Sequence, residues 1–389
     1  MTVRTTTSKI ALLLASVLAT LVLAEGILRW MSLDTLTGVY YKVPDPNLGW
    51  RLQPSVSYRF RTPEYDVNVT HNSRGWRDTE HGLTNEPRRY RILVLGDSFM
   101  VGHAVNSDVI FARQLERLAR QRGLDIEVIN LGVGGYGTLQ EYLSFVQEGR
   151  LYRPDMVLLA FCLINDLVDN TESLQKSSTY GLGTLYFARP FVSADDNELT
   201  RITQPDYQYA VRIFQIQDLF FRRSVLLQQA FRMAFRVFGA SASQRAVLRY
   251  GSQLCEPSDE YRRAWSITEN ILRRLKNDVT ATGAELAVFP AVSLEDSTLA
   301  SQTQIIKGSL AAAPFCLVDT TAYRRLSDIL SRHRIKWIDL LPAFRKATQA
   351  GNSLHYPRDQ HWNEGGHRLA AEEVLTFLED HGLSTRKVK

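Results

Sequence analysis

From residue 89 onward the chain alternates between short apolar runs and longer stretches whose apolar residues recur three and four apart. Residues 90–95 are apolar-rich and end at Gly96, the pattern of a strand buried on both faces. Residues 109–122 carry Ile110, Phe111, Leu115 and Leu118 at helical spacing. The next strand is predicted at 126–131, a helix at 138–148, and a third strand at 156–161. After an irregular middle, helices are predicted at 261–282, 322–332 and 365–378, with strands at 285–289 and 336–339. Strands that alternate with helices in this way predict an α/β fold built on a doubly wound parallel sheet.

Two regions break the rhythm. Residues 34–88 are punctuated by Pro44, Pro46, Pro54, Pro63 and Pro87 and alternate in polarity at 55–60 and 65–69. They predict an extended, β-rich lead-in. Residues 167–257 form an insertion. Within it 181–205 is loop-like, while 209–238 mixes Phe214, Phe220, Phe221, Leu226, Leu227, Phe231 and Phe235 with Arg212, Arg222, Arg223, Arg232 and Arg236. Three readings stand open: a helical cap over the site, an amphipathic helix resting on anionic lipid, or helices packed on the domain with solvated arginines.

The N-terminus carries Arg4 and Lys9 ahead of an apolar run at 10–24, and the apolar character resumes with Ile27, Leu28 and Trp30. A helix continuing to Trp30 covers the bilayer core of ~30 Å. The leading positive charges place the rest of the chain outside the cytoplasm. The expectation is an uncleaved anchor in a bacterial inner membrane with the catalytic domain in the periplasm or extracellular space. The alternative is a secreted protein cleaved near Ala24. The predicted layout is an anchor at 1–33, a lead-in at 34–88, and a domain at 89–385 with its insertion at about 167–257.

Composition narrows the function only slightly. Of 389 residues, 44% are hydrophobic and 22% charged, which suffices for a large core. The formal net charge of +5 comes without a basic run, so no nucleic-acid partner is expected. The three cysteines have no zinc-ligand spacing, and neither metal nor cofactor is implied. Cys162 reads as a buried core residue. Cys255 and Cys316 are left open as a disulfide or two thiols. The sequon at Asn68 is too short to exceed chance.

Four segments carry candidate chemistry. Gly96-Asp97-Ser98-Phe99 follows a predicted strand, so the Ser98 hydroxyl stands at the carboxyl end of the sheet, where open α/β folds bind ligands. Its N–H and the start of the next helix can face a developing oxyanion. Asn130-Leu131-Gly132-Val133-Gly134-Gly135 is a second strand-to-helix turn whose glycines allow close backbone approach. Asn165-Asp166 ends the third strand; Asn165 can donate an amide, and Asp166 can brace the loop. Asp359-Gln360-His361-Trp362 precedes the closing helix. There His361 is the candidate base for Ser98, and Asp359 the acid that holds its tautomer. His355 and His367 are decoys, and Asp339 is a reserve acid.

Together these segments resemble the SGNH (GDSL-type) hydrolases, over roughly 89–170 and 335–378. The resemblance implies a flavodoxin-like three-layer α/β/α sandwich. It implies a triad of Ser98, His361 and Asp359, and an oxyanion hole of Ser98, Gly135 and Asn165, supported by Asp97, Asp166 and Trp362. It implies an acyl-ester substrate, for instance an acylated glycan or lipid. Two departures stand out. Leu163 replaces the usual glycine before Asn165-Asp166, and the terminal pair is Asp-x-His-Trp rather than Asp-x-x-His. The second variant is similar to the alginate O-acetylation branch. Ester hydrolysis is the first expectation, O-acyl transfer to a surface polysaccharide the alternative, and a non-catalytic glycan-binding protein the third.

Overall fold

The computed structural model describes residues 2–30, 41–86, 88–163, 165–177, 188–217 without 194 and 197, 224–230 without 228, 233, 258–298 and 321–382. Cys255, Cys316 and all of the arginines and aromatics between 218 and 238 lie outside the described residues.

The lead-in folds as two antiparallel hairpins, β1 (Lys42–Asp45) with β2 (Gly49–Leu52), and β3 (Ser57–Arg61) with β4 (Asp66–Thr70). The first turn is set by its own residues: the Asp45 carboxylate accepts from the N–H groups of Asn47 and Leu48. Central strands follow: β5 (Tyr90–Leu95), β6 (Ile126–Asn130) and β7 (Met156–Phe161). A two-residue pair, β8 (Phe191–Val192) and β9 (Ile202–Thr203), belongs to the insertion. The sheet is completed by β10 (Glu285–Pro290) and β11 (Lys336–Trp337).

The sheet is parallel throughout, in the order β11-β10-β7-β5-β6. This is the flavodoxin-like winding, which reverses between β5 and β7 and opens a crevice at their carboxyl ends. Every residue of β7 is buried, as its unbroken apolar run requires. Two helix pairs flank the sheet: Phe111–Gln121 packs on Glu364–Asp380, and Thr138–Gln147 on Asp259–Ala281. The α/β expectation is borne out. The strand expected at 336–339 ends at Trp337, because Asp339 accepts from the Leu341 N–H and starts the helix Leu341–Gln349.

The lead-in is bolted to the domain by Arg77. Its guanidinium is buried and donates to the carbonyls of Val101, Gly102 and Val105, just past Ser98. Burial lowers its pKa to about 10. At the other end of the chain, Ser8–Trp30 is a 23-residue stretch of mean hydropathy 2.3, none of it buried. At 1.5 Å per residue it spans about 34 Å, long and apolar enough to cross a membrane as an anchor or to serve as a signal segment.

Candidate active site

Ser98 is the first residue of a one-turn helix, Ser98–Val101, that begins where β5 ends. Asp97 caps it: one carboxylate oxygen accepts from the Phe99 N–H at 2.9 Å, the other from the Asn165 amide at 3.1 Å. One buried side chain thus links the turn after β5 to the turn after β7, across the point where the winding reverses. Burial raises the Asp97 pKa, against the lowering effect of these bonds.

His361 arrives from the loop before the closing helix. Its Nε2 lies 2.7 Å from the Ser98 Oγ, and its Nδ1 lies 2.6 Å from an Asp359 carboxylate oxygen. Burial pushes the Asp359 carboxyl up, but His103 and His361 beside it outweigh this and hold it well below the usual carboxylate range. An ionised carboxylate only accepts, so Nδ1 carries the proton and Nε2 offers its lone pair to the serine hydroxyl. Between the two, Gln360 stands at φ 68° in the left-handed region. That conformation costs on the order of 1–2 kcal/mol for a residue with a Cβ.

The second carboxylate oxygen of Asp359 accepts from the Tyr65 hydroxyl at 2.8 Å. Glu64 accepts from the backbone N–H groups of Arg358 and Asp359 at 2.9 and 2.8 Å. Both residues precede β4, so the lead-in reaches into the site and fixes the acid. Tyr65→Phe removes one bond and leaves the ring packing on Phe60 and Tyr356 intact. We expect kcat to fall about tenfold, the equivalent of ~1.4 kcal/mol, with KM unchanged. Steady-state kinetics on a chromogenic acetate ester checks this, and an unchanged kcat would remove Tyr65 from the account.

The loop after β6 is sewn to the Ser98 turn. Val133 N–H donates to Gly96 O at 3.0 Å, and the Asn130 amide donates to Met100 O at 2.9 Å. A Cβ on Gly132 would sit 2.6 Å from the Val101 nitrogen, so only glycine fits there. Gly135 takes φ 81°, again a glycine conformation. Among the described residues the N–H groups of Ser98 and Gly135 have no acceptor. Two consecutive carbonyls of this loop are gripped from outside. Gly134 O accepts from Lys42 Nζ at 2.5 Å and from Trp50 Nε1 at 3.3 Å, and Gly135 O accepts from Arg189 at 3.0 Å. Burial, and then the charge of Arg189, lowers the Lys42 pKa to about 7. We expect Lys42→Met to lower kcat about tenfold or more through misplacement of the Gly135 N–H, with Lys42→Arg recovering part of it. Equal kcat in both variants and the parent would show that the grip is dispensable.

The remaining candidates separate cleanly. Asp166 accepts from the Cys162 N–H at 2.8 Å, so it braces the loop that carries Asn165. Burial, reinforced by the Asp97 charge, raises its pKa well above the usual carboxylate range. Trp362 is buried, donates to Val292 O at 2.8 Å, and packs edge-on to Phe99. His355 is bonded to Val292 O and His367 to the Phe111 N–H, both buried away from the hydroxyl. The reserve acid Asp339 accepts from the Leu341 N–H, while His361 Nδ1 meets Asp359 instead.

Sequence reading missed Glu64, Tyr65, Lys42 and His103. His103 stacks edge-on to His361 with ring centres 4.4 Å apart, and its Nε2 lies 3.8 Å from Asp359. Burial and the neighbouring His361 lower its pKa to about 4, so it stays neutral near pH 7. The three ligand atoms of His103, Asp359 and His361 lie within 4.8 Å of one another, and a metal there would displace the His361 Nδ1 proton.

With this geometry in place, comparison with known proteins adds a likeness. Residues 259–388 match the family model of the SGNH hydrolase-like domain of the acetyltransferase AlgX. That stretch holds Asp359, His361 and Trp362. Over this last third the chain is thus similar to an SGNH hydrolase-like domain, as its motifs led one to expect. Among solved structures, an acetyl xylan esterase, AlAXEase, is 12% identical, with a TM-score of 0.40 over 74% of this chain and 99% of its own. A lipase/acylhydrolase from Enterococcus faecalis is 12% identical, with a TM-score of 0.38 over 75% and 96%. A catalytic mutant of Axe2, an acetylxylan esterase from Geobacillus stearothermophilus, is 12% identical, with a TM-score of 0.36 over 77% and 96%. No curated protein sequence matched.

Proposed function

We propose that this protein is a serine-dependent ester hydrolase that works through an acyl-enzyme on Ser98 and acts on acylated glycans outside the cytoplasm. The observation that carries the proposal is the unbroken hydrogen-bond chain Ser98–His361–Asp359, at 2.7 and 2.6 Å. His361 Nε2 takes the Ser98 hydroxyl proton as Oγ attacks the ester carbonyl carbon. The carbonyl oxygen becomes an oxyanion, met by the N–H groups of Ser98 and Gly135 and the amide of Asn165. Collapse expels the alcohol, which takes the proton from His361, and leaves an acyl group on Ser98. Water, deprotonated by His361, then attacks the acyl carbon, and collapse releases the acid as Ser98 Oγ takes that proton back from His361.

A second reading has its own support. If a sugar hydroxyl replaces water in the last step, the acyl group is transferred rather than lost. The match to an acetyltransferase domain over the Asp359-Gln360-His361-Trp362 stretch favours this. Localisation follows from the apolar N-terminal helix: an anchor in the inner membrane with residues 89–385 as the periplasmic catalytic domain, and the hairpins of 34–88 serving as part of its site. The test uses the purified full chain, an acetyl-ester donor and a panel of deacetylated polysaccharides. Acetate appearing in solution supports hydrolysis, and acetyl groups appearing on the glycan support transfer. Neither product, together with no fluorophosphonate adduct on Ser98, would sink both readings.

A further inference from the structure

The N-terminal helix carries one carboxylate inside its apolar stretch, Glu25. That carboxylate accepts from the Ser224 hydroxyl, the Val225 N–H and the Leu226 N–H, each at 2.9 Å, and from Arg29 at 2.8 Å. Four donors make an ionised group tolerable beside a bilayer, where an unpaired one is expensive. Three of the donors come from the insertion, some 200 residues away in sequence. They belong to the start of a helical turn whose N–H groups would otherwise be unpaired.

The height of this contact is fixed by helix geometry. Glu25 lies five residues before Trp30, about 7.5 Å along the axis. Trp30 is 85% exposed and ends the apolar stretch, with Arg29 beside it, the pattern of a membrane boundary. Ser224 to Leu226 therefore sit about 7.5 Å to the lipid side of that boundary, within the interfacial layer. Val225 is buried, but Leu227 is 41% and Met233 71% exposed, both large apolar side chains on the surface. We propose that Ser224 to Leu227, together with Met233, dock on the membrane, with Leu227 and Met233 in the interfacial lipid and Glu25 fastening the segment to the anchor. The occupant of this face is the bilayer that holds the N-terminal helix. The anchor and the catalytic domain are then joined as one oriented unit rather than by the lead-in chain alone.

The inference rests on the N-terminal helix being retained as an anchor, and the experiment separates the two. The full-length chain, with its native cysteines replaced, is reconstituted in phosphatidylcholine nanodiscs. It carries one nitroxide at a time, through Leu18→Cys, Leu227→Cys, Met233→Cys or Arg120→Cys. Relaxation by oxygen reports lipid, and relaxation by a water-soluble nickel chelate reports solvent. The expected result is oxygen-dominated relaxation at 18, 227 and 233 and nickel-dominated relaxation at 120. Adding Glu25→Leu is expected to bring nickel relaxation to the label at 227 while the label at 18 stays in lipid. Nickel-dominated relaxation at 227 and 233 with 18 in lipid overturns the docking and leaves the anchor standing. A mature N-terminus at Glu25, with the 18 label lost, overturns both.

Discussion

Ser98→Ala is expected to lower kcat for ester cleavage about a million-fold, to the rate that binding and oxyanion stabilisation alone sustain. The size follows from the chemistry. Without the hydroxyl no acyl-enzyme forms, and His361 Nε2 loses the hydroxyl it bonds. The fold has little reason to respond. The Asp97 cap binds the Phe99 backbone N–H, which alanine leaves untouched, and the Arg77 bonds to Val101, Gly102 and Val105 involve main-chain oxygens. A thermal melt within a degree or two of the parent, together with loss of the fluorophosphonate mass shift on the intact protein, would attribute the whole effect to the reaction. A variant that retains more than about a thousandth of the parent kcat would mean that another nucleophile is at work, since loss of a true nucleophile costs far more than this.

What the sequence disclosed, and what it hid, divides along the range of the interactions. The strand at 90–95 and the helix at 109–122 are written in local periodicity, and the observed Tyr90–Leu95 and Phe111–Gln121 differ from them by two residues at most. Ser98, Gly135 and Asn165 were legible because each sits at a strand end, and parallel winding brings strand ends together. The lead-in was legible as β structure but not as part of the site. Tyr65 meets Asp359 across 294 residues and Lys42 meets Gly134 across 92, and no periodic signal encodes such a meeting. His103 had no motif around it. It lies on the chain just after the Ser98 helix, and only the fold sets it against His361. The Asp-x-His spacing at Asp359 is a different case. It departs from the usual Asp-x-x-His, and the 2.6 Å contact between Asp359 and His361 Nδ1 is a distance in space that spacing does not report.

That contact gives Asp359 its predicted weight. Asp359→Asn is expected to lower kcat about 10⁴-fold with KM little changed. Asparagine is nearly isosteric, so the bonds from the Arg358 and Asp359 N–H groups to Glu64 persist and the loop stays in place. Its amide, however, can donate to Nδ1, which moves the imidazole proton to Nε2 and turns an N–H toward Ser98. The hydroxyl then faces a donor where it needs an acceptor. Stability gives an independent readout. In the folded protein the Asp359 carboxyl is held well below its unfolded value of ~3.9. A depressed carboxyl contributes stability that is present above the unfolded value and is lost as pH falls through the folded one. Urea unfolding should therefore find Asp359→Asn less stable than the parent at pH 7, with the gap narrowing as the pH is taken below about 3.9, where the unfolded carboxyl is protonated. A gap of equal size at both ends would mean that the carboxylate is not charged in the site. The tautomer argument for His361 would then fall with it, because only an ionised Asp359 compels Nδ1 to carry the proton.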